Sequence, residues 1–245
     1  MDTVDPDRWV RRMQGAAMLA MPAILALVFA LHFRSLAEFL HLRARYEPVA
    51  PDVVVPRLIG LANRWPLFHD PHVLAYLALP LLPLWALGLY ALGRQHRPRL
   101  ARAGVALSIT GCIYLGGLFG MWTAFRRGFG DVDARYTDGA VAAYAALTAP
   151  HGAFLLTTTL AKVFMVGLLL QVAALWGRPG QARWSVLAVA AGSVLFLAFW
   201  DVDNVMFLAT LLMFAGFVDI RRVLLDLPAP QPESADAAGA AARDA

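Results

Sequence analysis

Residues 151–176 read HGAFLLTTTLAKVFMVGLLLQVAALW, a run in which Lys162 is the only Lys or Arg and no acidic residue occurs. As an α-helix rising about 1.5 Å per residue, it is longer than the roughly 30 Å hydrocarbon core of a bilayer. A surface helix of a soluble domain carries a polar face, whereas this stretch is apolar nearly all round. It reads as a transmembrane span.

Five more segments answer to the same ruler, which predicts spans at about 15–33, 71–93, 103–125, 151–176, 184–200 and 205–220. The last two are short and call for tilt or local thinning of the bilayer. Pro80 and Pro83 are expected to kink the second. The first follows Arg8, Arg11 and Arg12 as a signal peptide would. Its apolar stretch is too long for one, and His32, Phe33, Arg34 do not form a small-residue cleavage site, so a retained anchor is expected.

Composition agrees: of 245 residues 60% are hydrophobic and 16% charged, against about 45–50% and about 25% in soluble domains. A disordered chain and a water-soluble globule are both disfavoured. The expected fold class is all-α, a polytopic transmembrane helix bundle of six spans forming one domain over residues 1–227, with a disordered Pro-, Ala- and acid-rich tail at 228–245.

The net charge of +4 and the pI near 9.6 raise nucleic acid as a partner. The arginines nevertheless lie in short segments between apolar runs and serve as topology signals, so the bilayer is the expected partner and nucleic acid is not. Twelve arginines fall on the side that holds both termini and eight on the other. That bias points to an inner-membrane, multi-pass protein with cytoplasmic termini. The single cysteine, Cys112, rules out an intramolecular disulfide and a Cys-based zinc site.

Two outer loops have structure of their own. Between Arg34 and Asp70, Ser35 and Glu38 stand at capping-box spacing before Phe39, Leu40 and Leu42, and Pro56 precedes Leu58, Ile59, Leu61 and Ala62. Two short interfacial helices are expected there, with Trp65 and Phe68 in the headgroup belt. A further short helix is expected within 139–149 of the second loop.

In the third span Gly104, Ser108, Cys112, Gly116 and Gly120 recur every fourth residue. Small residues let backbones approach closely in lipid, so this stripe is expected to pack inside the bundle, with a homo- or hetero-oligomer face as the alternative.

Lys162 is the sharpest anomaly. It lies about 16 Å along the helix from His151, deep enough that an insertion cost of about 2.5–3.5 kcal/mol demands compensation. His151, Thr158 and Lys162 share one helical face, which should turn inward.

Crossing parity also collects His69, His72, His151, Asp201 and Asp203 on the side opposite the termini. Imidazole with carboxylate suits a divalent metal, and His72 with His151 allows a b-type haem, although no metal-binding or haem motif specifies either. The expected pocket has these five residues at its rim and Lys162 below. As an enzyme or redox site it would use His151 or Asp201 for proton transfer and Lys162 to stabilise negative charge. The alternatives are a transporter or sensor, and a non-catalytic assembly partner.

Overall fold

The computed structural model describes residues 6–31, 35–40, 52, 55–56, 71–130, 132–149, 153–200 and 202–228. These are helical, with no strand among them. Helix α1 spans Pro6–Ala30, α2 Leu36–Leu40, α3 Pro71–Ala78, α4 Leu81–Gly93 and α5 Pro98–Gly130. A 3-10 turn at Ala134–Tyr136 leads to α6 Thr137–Thr148, followed by α7 Ala153–Ala161, α8 Val163–Leu175, α9 Arg183–Ala198 and α10 Asp203–Leu225.

Among the described residues, three helical stretches are long and apolar enough to cross a membrane: Asp7–Ala30, Pro98–Met121 and Leu155–Leu175. Leu81–Gly93 and Arg183–Ala198 are apolar but shorter. Pro6, Pro71 and Pro98 each occupy the first position of a helix, where a missing N–H removes no bond and the fixed φ is already helical.

The segment read as one span at 71–93 is two helices. Pro80 has no N–H for the Tyr76 carbonyl, and the Leu79 N–H takes that acceptor instead at 3.2 Å, closing a tighter turn. Leu82 N–H then bonds the Leu79 carbonyl at 3.0 Å and α4 resumes. At the other end of α4, α5 begins well before residue 103. Its first turn, with Arg99 exposed and Arg102 Nε donating to the Pro98 carbonyl at 3.4 Å, is helical but polar.

Contacts run from α5 to α8, α9, α10, α1, α4 and back to α5. They enclose one apolar core in which Trp85, Phe164 and Phe217 are almost fully buried. The Trp85 indole meets Phe217 edge-on at 4.8 Å between centroids and Phe164 at 5.7 Å, joining α4, α8 and α10.

Two helix pairs bring their backbones together at glycines. A Cβ on Gly167 of α8 would stand 2.6 Å from both Gly104 O and Ser108 Oγ, and one on Gly111 of α5 would stand 2.5 Å from Phe164 Cα. On the other pair, a Cβ on Gly192 of α9 would stand 2.6 Å from Ala209 O, and one on Gly216 of α10 would stand 2.5 Å from Ser185 O.

The small-residue stripe therefore follows α8 over its first half only, and Cys112 packs partly buried against the core. Gly104 and Ser108 lie in the α5–α8 crossing, but Gly111 takes the next place in the row; among the described residues a Cβ on Gly116 would meet nothing within 4 Å and one on Gly120 only Tyr76 Cε2, at 3.5 Å. Each step of four residues overshoots a 3.6-residue turn by about 40°, so five such positions wind around the helix rather than follow one neighbour.

Candidate functional site

Lys162 separates α7 from α8. Its backbone stays in the right-handed helical region, φ −61° and ψ −21°, but the ladder tightens around it. Met165 N–H bonds the Lys162 carbonyl at 3.0 Å, an i→i+3 contact, while Val166 N–H reaches the same oxygen at 3.4 Å.

The side chain is half-buried and turns toward a companion helix. Its Nζ lies 5.5 Å from the centre of the Trp200 ring, just beyond the end of α9, a cation–π distance. Trp200 meets Phe196 edge-on at 5.5 Å, and Phe196 meets Phe29 of α1 at 5.8 Å, so the ring facing the ammonium is braced from two helices. Among the described residues no carboxylate pairs with Lys162.

Thr158, one turn earlier, is 8% exposed, and its Oγ1 is buried without a hydrogen-bond partner. Thr159 is exposed and turns its hydroxyl back to the Leu155 carbonyl at 2.8 Å. The α7–α8 junction thus offers one ammonium and one buried hydroxyl, a donor set suited to an oxygen-rich or anionic group.

Of the other predicted site residues, Asp203 is half-buried in the first turn of α10, where a carboxylate favours the positive end of the helix dipole. His72 is the second residue of α3, described in its backbone alone. His69, His151 and Asp201 lie outside the described residues, as do Trp65 and Phe68 of the first outer loop. Among the described residues no three His, Cys, Asp or Glu side chains gather as a metal site.

The start of α10 also receives α2. Asn204, 6% exposed, donates from Nδ2 to the Phe39 carbonyl at 3.2 Å, and the Phe39 ring meets Phe207 edge-on at 5.5 Å. The short helix expected after Ser35 is therefore present as α2, and it docks on α10.

Two polar clusters escape the sequence reading. In the first, Gln171 of α8, fully buried, donates from Nε2 to the Ala86 carbonyl of α4 at 2.9 Å. Its Oε1, the Ser108 hydroxyl and the Trp85 indole N–H are buried without partners. A lone amide in an apolar span, one turn after Gly167, is a signal that would have marked this junction.

The second lies at the end that holds the termini. Asp219 Oδ2 accepts from Gln181 Nε2 and from Ser185 Oγ, each at 2.9 Å, tying the α8–α9 link and the start of α9 to α10. The link turns through Gly177 and Gly180, both at φ +77°, where a side chain would be strained. It is also tied to the α4–α5 link, for His96 Nε2 bonds the Trp176 carbonyl at 3.1 Å and Arg97 donates to the Ala173 carbonyl at 3.4 Å. His96 thus caps the Trp176 carbonyl, while Arg97 adds a second donor to the Ala173 carbonyl, which already accepts from the Trp176 N–H at 3.2 Å. Burial draws the Arg178 guanidinium in the same link below its ordinary pKa.

No protein-family model, curated protein or solved structure matches the chain.

Proposed function

We propose that the protein is a six-span inner-membrane protein that binds a small anionic ligand in its outer half, with Lys162 as the counter-charge. In this reading the crossings are α1, α3 with α4, α5, α7 with α8, α9 and α10. Both termini are cytoplasmic, consistent with the arginine bias.

One observation carries the proposal: an ammonium deep in an apolar segment, held against the Trp200 ring, with no carboxylate pairing it among the described residues. The default reading of an intramembrane charge is functional. The unpartnered Thr158 hydroxyl, a turn away, supplies a hydrogen-bond donor beside the charge. A ligand carboxylate or phosphate would satisfy both, and a cation would be repelled. His151 and Asp201 then serve at the rim, as acid and base if the site is catalytic or as gate residues if the ligand is transported.

The test is a fluorescence titration of the full chain in nanodiscs with acetate, succinate and inorganic phosphate, following the indole signal that Trp200 contributes. Saturable quenching by at least one anion, abolished in Lys162→Met and retained in Lys162→Arg, is the expected result. A titration that is unchanged in Lys162→Met overturns the reading, as does strengthened anion binding on loss of the lysine.

A further inference from the structure

At the end of the α1–α10 pair that holds the chain termini, Arg221 of α10 lies across a gap in α1. A Cβ on Gly15 would stand 3.1 Å from Arg221 Cγ and 3.5 Å from its Nε, so the stem of the arginine fits where α1 has no side chain. Leu225 Cδ2, at 3.6 Å from the same point, closes the apolar side of the groove. Arg221 Nε is buried and has no hydrogen-bond partner. The nearest acidic residue in sequence, Asp219, is held by Gln181 and Ser185 instead.

A second guanidinium is one turn away. Arg11 precedes Gly15 by four residues, so it projects from the same face of α1, about 6 Å further toward the helix start. Arg11 is held by an interaction of its own within the protein, so it borders the groove and the site rests on Arg221. Depth is marked by Trp9, 56% exposed, with Val10 beside it at 41%: an exposed indole between Arg8 and Arg12 belongs at the headgroup level. Arg11 is two residues along the helix from Trp9.

We propose that Arg221, in the groove that Gly15 opens in α1, forms a binding site for the phosphate of an anionic phospholipid in the leaflet on the terminus side. The planar fork of a guanidinium matches two phosphate oxygens at once. Leu225, which lines the groove beside the guanidinium stem, distinguishes a lipid from free phosphate, since it offers contact to glycerol and acyl carbons that the inorganic ion lacks. The basic surface as a whole, with exposed Arg94, Arg99 and Arg222, attracts such a leaflet in any case. The groove at Gly15 adds a fixed position to that attraction.

Native mass spectrometry of the full chain in detergent tests this, with titration of phosphatidylglycerol and of phosphatidylcholine. Phosphatidylglycerol should bind more tightly, and Arg221→Gln should weaken it about tenfold or more, the loss of a direct charge-assisted bond to phosphate. Arg221→Lys keeps the charge and loses the fork, and should fall between Arg221→Gln and wild type. Arg99→Gln, exposed at the same end, should stay within about twofold of wild type. Equal losses in Arg99→Gln and Arg221→Gln, equal affinity for the two lipids, wild-type binding in Arg221→Lys, or displacement of the lipid by inorganic phosphate at millimolar concentration would each overturn the proposal.

Discussion

The side-chain amide of Gln171 bridges α8 to α4 by donating to the Ala86 carbonyl at 2.9 Å, while its own oxygen finds no partner. One polar bond and one unpaired acceptor therefore share a fully buried side chain. A neutral hydrogen bond is worth about 0.5–1.5 kcal/mol net, and an average near 0.6 is found between membrane helices. A buried acceptor without a partner costs about 1–3 kcal/mol.

Gln171→Met fills nearly the same volume and removes both terms, so it should leave stability unchanged or raise it by up to about 1 kcal/mol. Gln171→Ala removes the bond and also opens a cavity beside Gly104, and should cost about 2–3 kcal/mol. Thermal unfolding of the two variants in one detergent separates them. Equal destabilisation would show that the hydrogen bond, rather than the packing, holds this junction.

Glycine substitutions divide α5 and its partner into two zones. A Cβ on Gly167 meets Gly104 O and Ser108 Oγ at 2.6 Å, too close for either helix to give way locally, whereas one on Gly116 meets nothing within 4 Å among the described residues. Gly167→Ala should therefore cost about 1–3 kcal/mol or more through overpacking. Gly116→Ala should be neutral or slightly stabilising, since alanine is the better helix former. Equal melting temperatures for the two variants would contradict the crossing as described.

These two junctions show how far the sequence could be read. Apolar runs marked where helices lie because lipid demands satisfied backbones, and Lys162 stood out because a charge is so costly at depth. The turn at Pro80 followed from a missing N–H and was expected as a kink. The row Gly104, Ser108, Gly111 was legible only in part, because a four-residue repeat resembles a straight face on paper while the helix turns beneath it. Lys162 was expected to face a companion helix, and its Nζ lies against Trp200 beyond the end of α9, a pairing invisible in sequence because nothing along the chain joins two residues on separate helices. The metal-ligand set of His69, His72, His151, Asp201 and Asp203 retains Asp203 alone with a described side chain.

Asp219 was legible least of all. In sequence it sits beside Arg221 and Arg222, the setting of an ordinary exposed charge at a helix end. In the structure it is half-buried and accepts from Ser185 and Gln181, residues 34 and 38 positions away. The single proton of Ser185 Oγ has two acceptors in reach, Asp219 Oδ2 at 2.9 Å and the Ala182 carbonyl at 2.7 Å. The Gln181 amide, which donates to Asp219 directly, also reaches Ser185 Oγ at 2.7 Å. The carboxylate thus organises the α8–α9 link through charge-assisted bonds, each worth about 1.5–3 kcal/mol. Asp219→Asn keeps one acceptor but loses the charge and should destabilise the link by about that amount, with Asp219→Ala costing more and Ser185→Ala less. Hydrogen exchange resolves the effect in space: amides at 181–186 should exchange faster in Asp219→Asn while those of the Gly104–Gly167 crossing keep their protection. Uniform acceleration across both regions would mean that Asp219 supports the whole helix assembly, not the link.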